Sequence, residues 1–119
     1  MLINYSNHPS SLWSEEQTQE ADRLFGEIVD IPFPTVAPDA DEQDIVHLTE
    51  TELKRICTFA LPKEAVIHIM GEMTLTYALV HRLKDIGYRC VASTTYREVY
   101  EEYPNKKIVS FHFVRFRYY

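Results

Sequence analysis

Small hydroxyl, amide and imidazole side chains follow several apolar runs of this sequence. Asn7 and His8 follow the first run, and Ser93 and Thr95 follow the fourth. Amide and hydroxyl groups donate hydrogen bonds to phosphate and ribose oxygens, and an imidazole can exchange a proton near neutral pH. These residue types predict a site for an anionic or nucleotide-like ligand.

Further candidates lie in neighbouring turns. Arg97 can hold one phosphate with two hydrogen bonds, and Gly71 lets a ligand approach the backbone closely. Free backbone N–H groups at the starts of the first and third predicted helices attract phosphate. Three aromatic side chains offer surfaces on which a base can stack, namely Trp13, Phe33 and Tyr96.

Several of these residues also have a structural interpretation. The hydroxyl residues 93–95 would cap a short helix, and Glu72 would be a favourable charge in a first helical turn. Trp13 would pack at the entry of the first helix. His68 lies within an apolar run and is expected to be a hydrogen-bonded core histidine, whereas His8 would be a solvated turn residue.

Familiar catalytic and cofactor signatures are absent from the sequence. There is no GxGxxG or phosphate-binding GxxxxGK[ST], no G-x-S-x-G, and no zinc-ligand spacing. The acidic residues Asp39, Asp41 and Asp44 can hold a cation or cap a helix, and we favour the cap. Cys57 and Cys90 lie in apolar runs without CxxC spacing, so we expect buried, reduced thiols. We expect neither a metal nor a cofactor.

The elements that must position these residues alternate between strand and helix. Short apolar runs predict strands at 2–5, 27–31, 65–70 and 88–92, and a long last strand at 108–119. Helices with apolar stripes separate the first four strands, beginning at Ser14, at Asp39 or Asp41, and near Glu72. A short helix is predicted over 96–103, followed by a turn at Pro104.

This order predicts an α/β, Rossmann-like three-layer fold. The sheet is expected to be mostly parallel with strand order 2-1-3-4, and the C-terminal strand to run antiparallel at an edge. The side-chain alternation of the last strand changes phase after Phe113, which indicates a bulge or an extension beyond the sheet. Because ligands bind outside the carboxyl ends of such strands, the turns containing Asn7, Gly71 and Ser93 should meet.

Size and charge limit the class of protein. The chain has 119 residues, 45% of them apolar and 25% charged, which fits one globular domain over residues 1–119. The net charge of −6 argues against binding long DNA or RNA through phosphates. The first ten residues do not resemble a signal peptide, and no run approaches the roughly 20 apolar residues of a membrane span. We expect a cytoplasmic protein that does not bind membranes.

The segments 4–10, 70–74 and 92–97 resemble small stand-alone CRISPR-associated Rossmann-like proteins of the ring nuclease type, and the related CARF sensor domains. The likeness is one of layout and covers most of the chain. It implies that a homodimer binds a cyclic oligoadenylate, such as cyclic tetra-adenylate, across its two-fold axis. Some such proteins cut the ring without metal, when a ribose 2′-hydroxyl attacks the adjoining phosphate.

The resemblance also implies roles for individual residues. Thr95, beside Thr94, would orient the reacting ribose, Arg97 would stabilise charge on the phosphate oxygens, and His8 would be a general acid or base. The implied ligand-binding residues are Asn7, Ser10, Ser11, Trp13, Phe33, Gly71, Glu72, Met73, Thr74, Ser93 and Thr94. Two alternatives stay open: a sensor that binds a nucleotide without cleaving it, and an interaction protein that pairs its aromatic C-terminal strand with a partner.

Overall fold

Strands and helices alternate along the computed structural model, which describes residues 1–119. The strands are β1 (Leu2–Ser6), β2 (Ile28–Pro32), β3 (Val66–Met70), β4 (Arg89–Tyr103) and β5 (Lys106–Tyr118). The helices are α1 (Glu15–Phe25), α2 (Glu42–Phe59) and α3 (Met73–Asp85), and a 3₁₀ turn at Ser10–Leu12 precedes α1. None of the three helices has the length and apolar character needed to cross a membrane.

The five strands form one sheet in the order β2-β1-β3-β4-β5. Strands β1 to β4 run parallel to one another, and β5 runs antiparallel to β4. The predicted α/β, Rossmann-like class, the order 2-1-3-4 and the antiparallel edge strand are therefore confirmed. The chain leaves β1 toward one edge of the sheet and leaves β3 toward the other, so the winding reverses between these two strands. Ligands bind at such a switch point in open α/β sheets.

The helices begin at capping residues that the sequence predicts. The Ser14 side chain accepts a hydrogen bond from the backbone N–H of Gln17 at the start of α1. Asp41, rather than Asp39, caps α2 in a reciprocal arrangement with Asp44. A capping box of this kind satisfies backbone donors that otherwise lack partners. The structure therefore supports the interpretation of this acidic segment as a helix cap.

Apolar side chains cover both faces of the sheet. Helices α2 and α3 pack on one face through residues such as Ile56 and Leu79, while α1 packs on the other through Ala21. Cys90 is buried as expected, but Cys57 is only half-buried, because its position on α2 lies at the margin of the core. Alternate residues of each strand therefore face different helices, and the β1 residue Asn4 is on the α1 side with Leu2.

The predicted helix over 96–103 is wrong, because this segment continues β4. Strand β4 pairs with β3 only from Arg89 to Val91 and beyond that pairs with β5 alone. The stacking of Tyr96 on His112, with ring centroids 4.8 Å apart, is one of the cross-strand contacts. Such pairs stabilise a two-stranded ribbon and override a local helical pattern. The two strands thus form a hairpin arm that leaves the sheet.

A β-bulge explains the change of phase in β5. Thr94 pairs with Arg115 and Thr95 pairs with Phe113, which leaves Val114 as the extra residue. The bulge allows both Phe113 and Phe116 to pack on the α1 side of the sheet, where their ring centroids are 5.0 Å apart. The predicted bulge is confirmed, and the arm also extends beyond the parallel strands.

Candidate functional site

A cleft of about 640 Å³ opens on the α1 side of the sheet, where β4 diverges from β3. It is bounded by the turn after β1, the entry to α1, the end of β3 and the base of the hairpin arm. The predicted site residues that line it are Asn7, His8, Trp13, Gly71, Ser93 and Thr95. The turns after β1 and β3 therefore meet at the switch point of the sheet as predicted, whereas Ser93 and Thr95 reach the cleft from within β4 rather than from a turn, because this strand continues to Tyr103.

The start of α3 does not lie open to a phosphate. The Glu72 carboxylate accepts hydrogen bonds from the backbone N–H groups of Thr74 (3.0 Å) and Leu75 (2.8 Å), and from the Thr74 hydroxyl (2.6 Å). These bonds, that of the Thr74 side chain foremost, hold the pKa of Glu72 below its usual value. Met73 points into solvent and is 83% exposed. The prediction of free N–H groups is therefore wrong at the start of α3. At the start of α1 the Ser14 side chain accepts from the N–H of Gln17 alone, so the prediction is not contradicted there.

Phe33 is a core residue and offers no stacking surface. It is buried, and its ring lies against Tyr5 with centroids 5.1 Å apart. A Cβ atom at Gly71 would lie 2.5 Å from this ring, so the missing side chain at Gly71 makes room for Phe33. The prediction of Phe33 as a base platform is therefore wrong, and Gly71 has a packing role that its sequence context did not indicate.

The predicted hydroxyls also separate into two groups. Ser10 donates to Asp30 through its backbone N–H (3.0 Å) and its hydroxyl (2.8 Å), and neither it nor its exposed neighbour Ser11 lines the cleft. The Thr94 hydroxyl donates to the carbonyl of Arg115 and is not among the lining groups. Successive residues of a strand face opposite sides, which explains why Ser93 and Thr95 line the cleft and Thr94 does not.

Arg97 lies on the hairpin arm rather than in a turn. It pairs directly with Phe111, whose side chain lines the cleft. Residues directly opposite each other in antiparallel strands project from the same face. Arg97 is therefore on the cleft side of the arm, two residues beyond Thr95, but its exposed side chain is outside the cleft itself.

Four polar side chains form a series of hydrogen bonds beneath the cleft, namely Asp30, Asn4, His68 and Ser93, of which Asn4 and His68 are buried. His68 is 2% exposed; its Nδ1 lies 2.9 Å from Asn4 Oδ1 and its Nε2 lies 3.2 Å from Ser93 Oγ. Asn4 Nδ2 donates to Asp30 at 2.7 Å. His68 is thus the hydrogen-bonded core histidine that the sequence predicts, yet it also lines the cleft. Sequence reasoning missed Asn4 and Asp30, because no local pattern shows that they contact it.

The hydrogen bonds among Asp30, Asn4 and His68 determine which His68 nitrogen carries the proton. An ionised Asp30 only accepts hydrogen bonds, so the Asn4 amide turns its nitrogen toward Asp30 and its oxygen toward His68. His68 must then donate from Nδ1 and leave a lone pair on Nε2, facing the Ser93 hydroxyl. Burial lowers the pKa of His68 to about 4, so the ring is neutral at pH 7.

Asp30 is held in its ionised form by the same contacts. Partial burial favours a raised pKa, but the hydrogen bonds from Asn4 and Ser10 outweigh it and leave the pKa below its usual value. Asn4 also donates to the carbonyl of His8 at 2.8 Å, which fixes the turn after β1. The hydrogen bonds of Asn4 therefore fix the positions of both the His68 ring and the backbone at the rim of the cleft.

The composition of the cleft differs from that of the rest of the surface. The chain contains 18 Asp and Glu residues, but none of them lines the cleft. Its walls combine neutral hydrogen-bonding groups with aromatic rings from Trp13, Phe111 and Phe113. The Trp13 ring stands edge-on to His68 with centroids 5.2 Å apart, so it closes one side of the cleft rather than packing only beneath the helix.

Other surface features are less suited to a ligand. A depression of about 650 Å³ on α2 is lined only by side chains of that helix, including His47, Lys54 and Arg55. It has no apolar wall and draws on one element, as expected for a solvated helix face. No group of three or more His, Cys, Asp and Glu side chains is arranged to hold a metal ion.

Comparison with known proteins gives one match. Neither the curated proteins nor the solved structures contain a match to this chain. One family model matches residues 1–117, a span that includes β1 to β4, the whole cleft and nearly all of β5. The chain belongs to the family described as the Uncharacterized protein MJ1673 family.

Proposed function

We propose that this protein is a ring nuclease that binds and cleaves a cyclic oligoadenylate messenger in type III CRISPR antiviral defence. The observation that carries the proposal is the cleft at the switch point, which holds neutral donors and aromatic walls but no carboxylate in a chain of net charge −6. This combination suits a polyanionic ligand with bases, because carboxylates would repel phosphates while aromatic rings stack on bases.

The reaction we propose is attack by a ribose 2′-hydroxyl on the adjoining phosphorus. The 2′-O–P bond forms, the P–O5′ bond breaks, and the products are a linear chain with a 2′,3′-cyclic phosphate and a 5′-hydroxyl. Asn7 and Thr95 line the cleft where they can hold phosphate and ribose in line. His8 supplies the proton to the departing 5′-oxygen, and Arg97 stabilises the charge on the phosphate oxygens from the arm. The reaction requires neither a metal nor a cofactor.

The proposal includes a homodimer, because one cleft is too small for the whole ligand. A cleft of about 640 Å³ lies within the size range of pockets for drug-sized ligands, and a ring of four nucleotides is larger than such a ligand. The hairpin arm has exposed apolar side chains on its cleft side, including Val99, Val109 and Phe111. Two such arms facing each other would bury this surface and join two clefts. We place the protein in the cytoplasm, where this messenger acts.

Two other functions use the same observations. A sensor would bind the ring in the cleft without cutting it, and an interaction protein would use the apolar side of the arm to contact a different chain. The position of His68 and Ser93 within hydrogen-bond distance favours cleavage over binding alone, since a binding site needs no proton acceptor.

Incubation with cyclic tetra-adenylate in the presence of EDTA tests the proposal. We expect linear products that end in a 2′,3′-cyclic phosphate, and loss of cleavage in Arg97→Ala. Arg117→Ala is the matched control, because Arg117 pairs with Ala92 in the β4–β5 ladder and does not line the cleft. Tight binding of an intact ring would support the sensor instead, and neither binding nor cleavage would leave the interaction protein.

A further inference from the structure

The Ser93 hydroxyl, the His68 imidazole and the Asn4 amide form a connected chain. Ser93 Oγ lies 3.2 Å from His68 Nε2, and His68 Nδ1 lies 2.9 Å from Asn4 Oδ1. Asp30 holds Asn4 at 2.7 Å. The order is that of a hydroxyl, a base and an orienting group, which is the general arrangement of an activated hydroxyl.

The surroundings of Ser93, His68 and Asn4 allow a proton to move inward from the cleft. His68 is almost fully buried among Trp13, Phe116 and the strands, whereas Ser93 is only half-buried and lines the cleft. A molecule in the cleft can therefore contact the Ser93 hydroxyl, whereas His68 lines the cleft with only 2% of its surface exposed. The Ser93 hydroxyl also lies 3.2 Å from the sulfur of Met70, a weak acceptor, so the better acceptor at this hydroxyl is His68 Nε2.

We propose that Ser93 is a catalytic residue of the ring cleavage and that it passes the ribose proton to His68; the inference rests on the proposed function. As the ribose 2′-oxygen attacks phosphorus, its proton moves to Ser93 Oγ while the Ser93 proton moves to His68 Nε2. The electron pair of the breaking P–O5′ bond stays on the 5′-oxygen, which takes its proton from His8. His68 becomes an imidazolium and afterwards returns its proton to solvent through the cleft.

Asn4 and Asp30 are positioning residues in this scheme. The Asn4 oxygen accepts from His68 and so keeps the proton on Nδ1. The Asp30 carboxylate accepts from the Asn4 nitrogen and so prevents a half-turn rotation of the amide. In Asp30→Asn that constraint is lost, because an amide can donate as well as accept. We expect kcat to fall in this variant while KM changes less.

The experiment measures kcat and KM for cyclic tetra-adenylate in wild type, Ser93→Ala, Ser93→Thr and His68→Gln. Loss of a general base costs about 10²–10⁴-fold in rate. We expect a fall of this size in kcat for Ser93→Ala and His68→Gln, with KM within a few-fold, and recovery in Ser93→Thr, which keeps the hydroxyl. Ser110→Ala is the matched control, because it removes a hydroxyl from a residue that lies opposite Glu98 in the β4–β5 ladder, on the other face of the arm from the cleft.

The outcomes separate this inference from the proposed function. If wild type cleaves the ring and Ser93→Ala keeps its kcat, or changes only KM, the relay is wrong and the ring nuclease proposal stands. If wild type does not cleave the ring, both fail together. Thermal unfolding followed by Trp13 emission shows that each variant is folded, and a folded Ser93→Thr with wild-type kcat supports the relay even if His68→Gln does not fold.

Discussion

Acidification should remove a defined part of the folding stability through His68. Burial lowers the pKa of His68 from 6.5 to about 4. The unfolded chain therefore takes up this proton first as the pH falls, so the contribution of His68 is complete above pH 6.5 and is lost progressively toward pH 4. At about pH 5 the linkage relation gives a loss of about 2 kcal/mol in the free energy of unfolding.

Urea unfolding of wild type and His68→Gln at several pH values measures this loss. The difference in unfolding free energy between the two proteins should shrink by about 2 kcal/mol from about pH 7.5 to pH 5. The pKa of Asp30, behind Asn4, is also shifted by folding, but Asp30 remains in the variant and its contribution largely cancels in the difference. His47→Gln is the matched control, since it removes an exposed histidine from α2.

A constant difference between wild type and His68→Gln across this pH range would refute the reasoning. It would mean that His68 titrates alike in the folded and unfolded chains, and thus that the ring is not held neutral by burial. The description of His68 as a desolvated, neutral ring behind Ser93 would then fail.

Three further predictions concern the packing at Gly71, the cap of α1 and the proposed role of Arg97. Gly71→Ala should lower the unfolding free energy by about 1–3 kcal/mol, because a Cβ would lie 2.5 Å from the Phe33 ring; Phe33→Leu in the same chain should recover part of the loss, and no loss in urea unfolding would contradict the contact. Ser14→Ala should cost about 1 kcal/mol through the lost cap of α1, while Ser14→Gly costs less; equal stability of all three proteins would argue against the cap. Arg97→Ala should abolish ring cleavage with a nearly unchanged Tm, because its side chain is exposed; persistent cleavage would show that Arg97 does not stabilise the transition state.

Local signals in the sequence account for most of the parallel part of the fold. Ser14 and Asp41 mark helix starts with side chains that bond to the next turn, and Gly26 ends α1 with a positive φ of 82° that glycine adopts without strain. The short apolar runs of β1 and β3 have the form of strands buried on both faces. Each of these features depends on residues close together in the chain, and therefore the sequence predicts it.

Contacts between distant residues account for what the sequence did not predict. The segment 96–103 becomes a strand because residues such as Tyr96 pair with β5, and the sequence does not show that these partners meet. Phe33 lies in the core rather than in the cleft, because its ring packs against Tyr5 and occupies the space beside Gly71. Both residues are far from Phe33 along the chain. The contact between Asn4 and His68 joins residues 64 positions apart.

A titration of Trp13 emission with cyclic tetra-adenylate in EDTA is the most direct test of whether this cleft binds a cyclic oligoadenylate. The chain has one tryptophan, and it lies in the cleft beside His68. We predict a saturable change in emission both for wild type and for Ser93→Ala, in which we expect the ring to stay intact. No change in emission, together with no heat of binding by calorimetry, would contradict the assignment of this cleft as a site for a cyclic oligoadenylate.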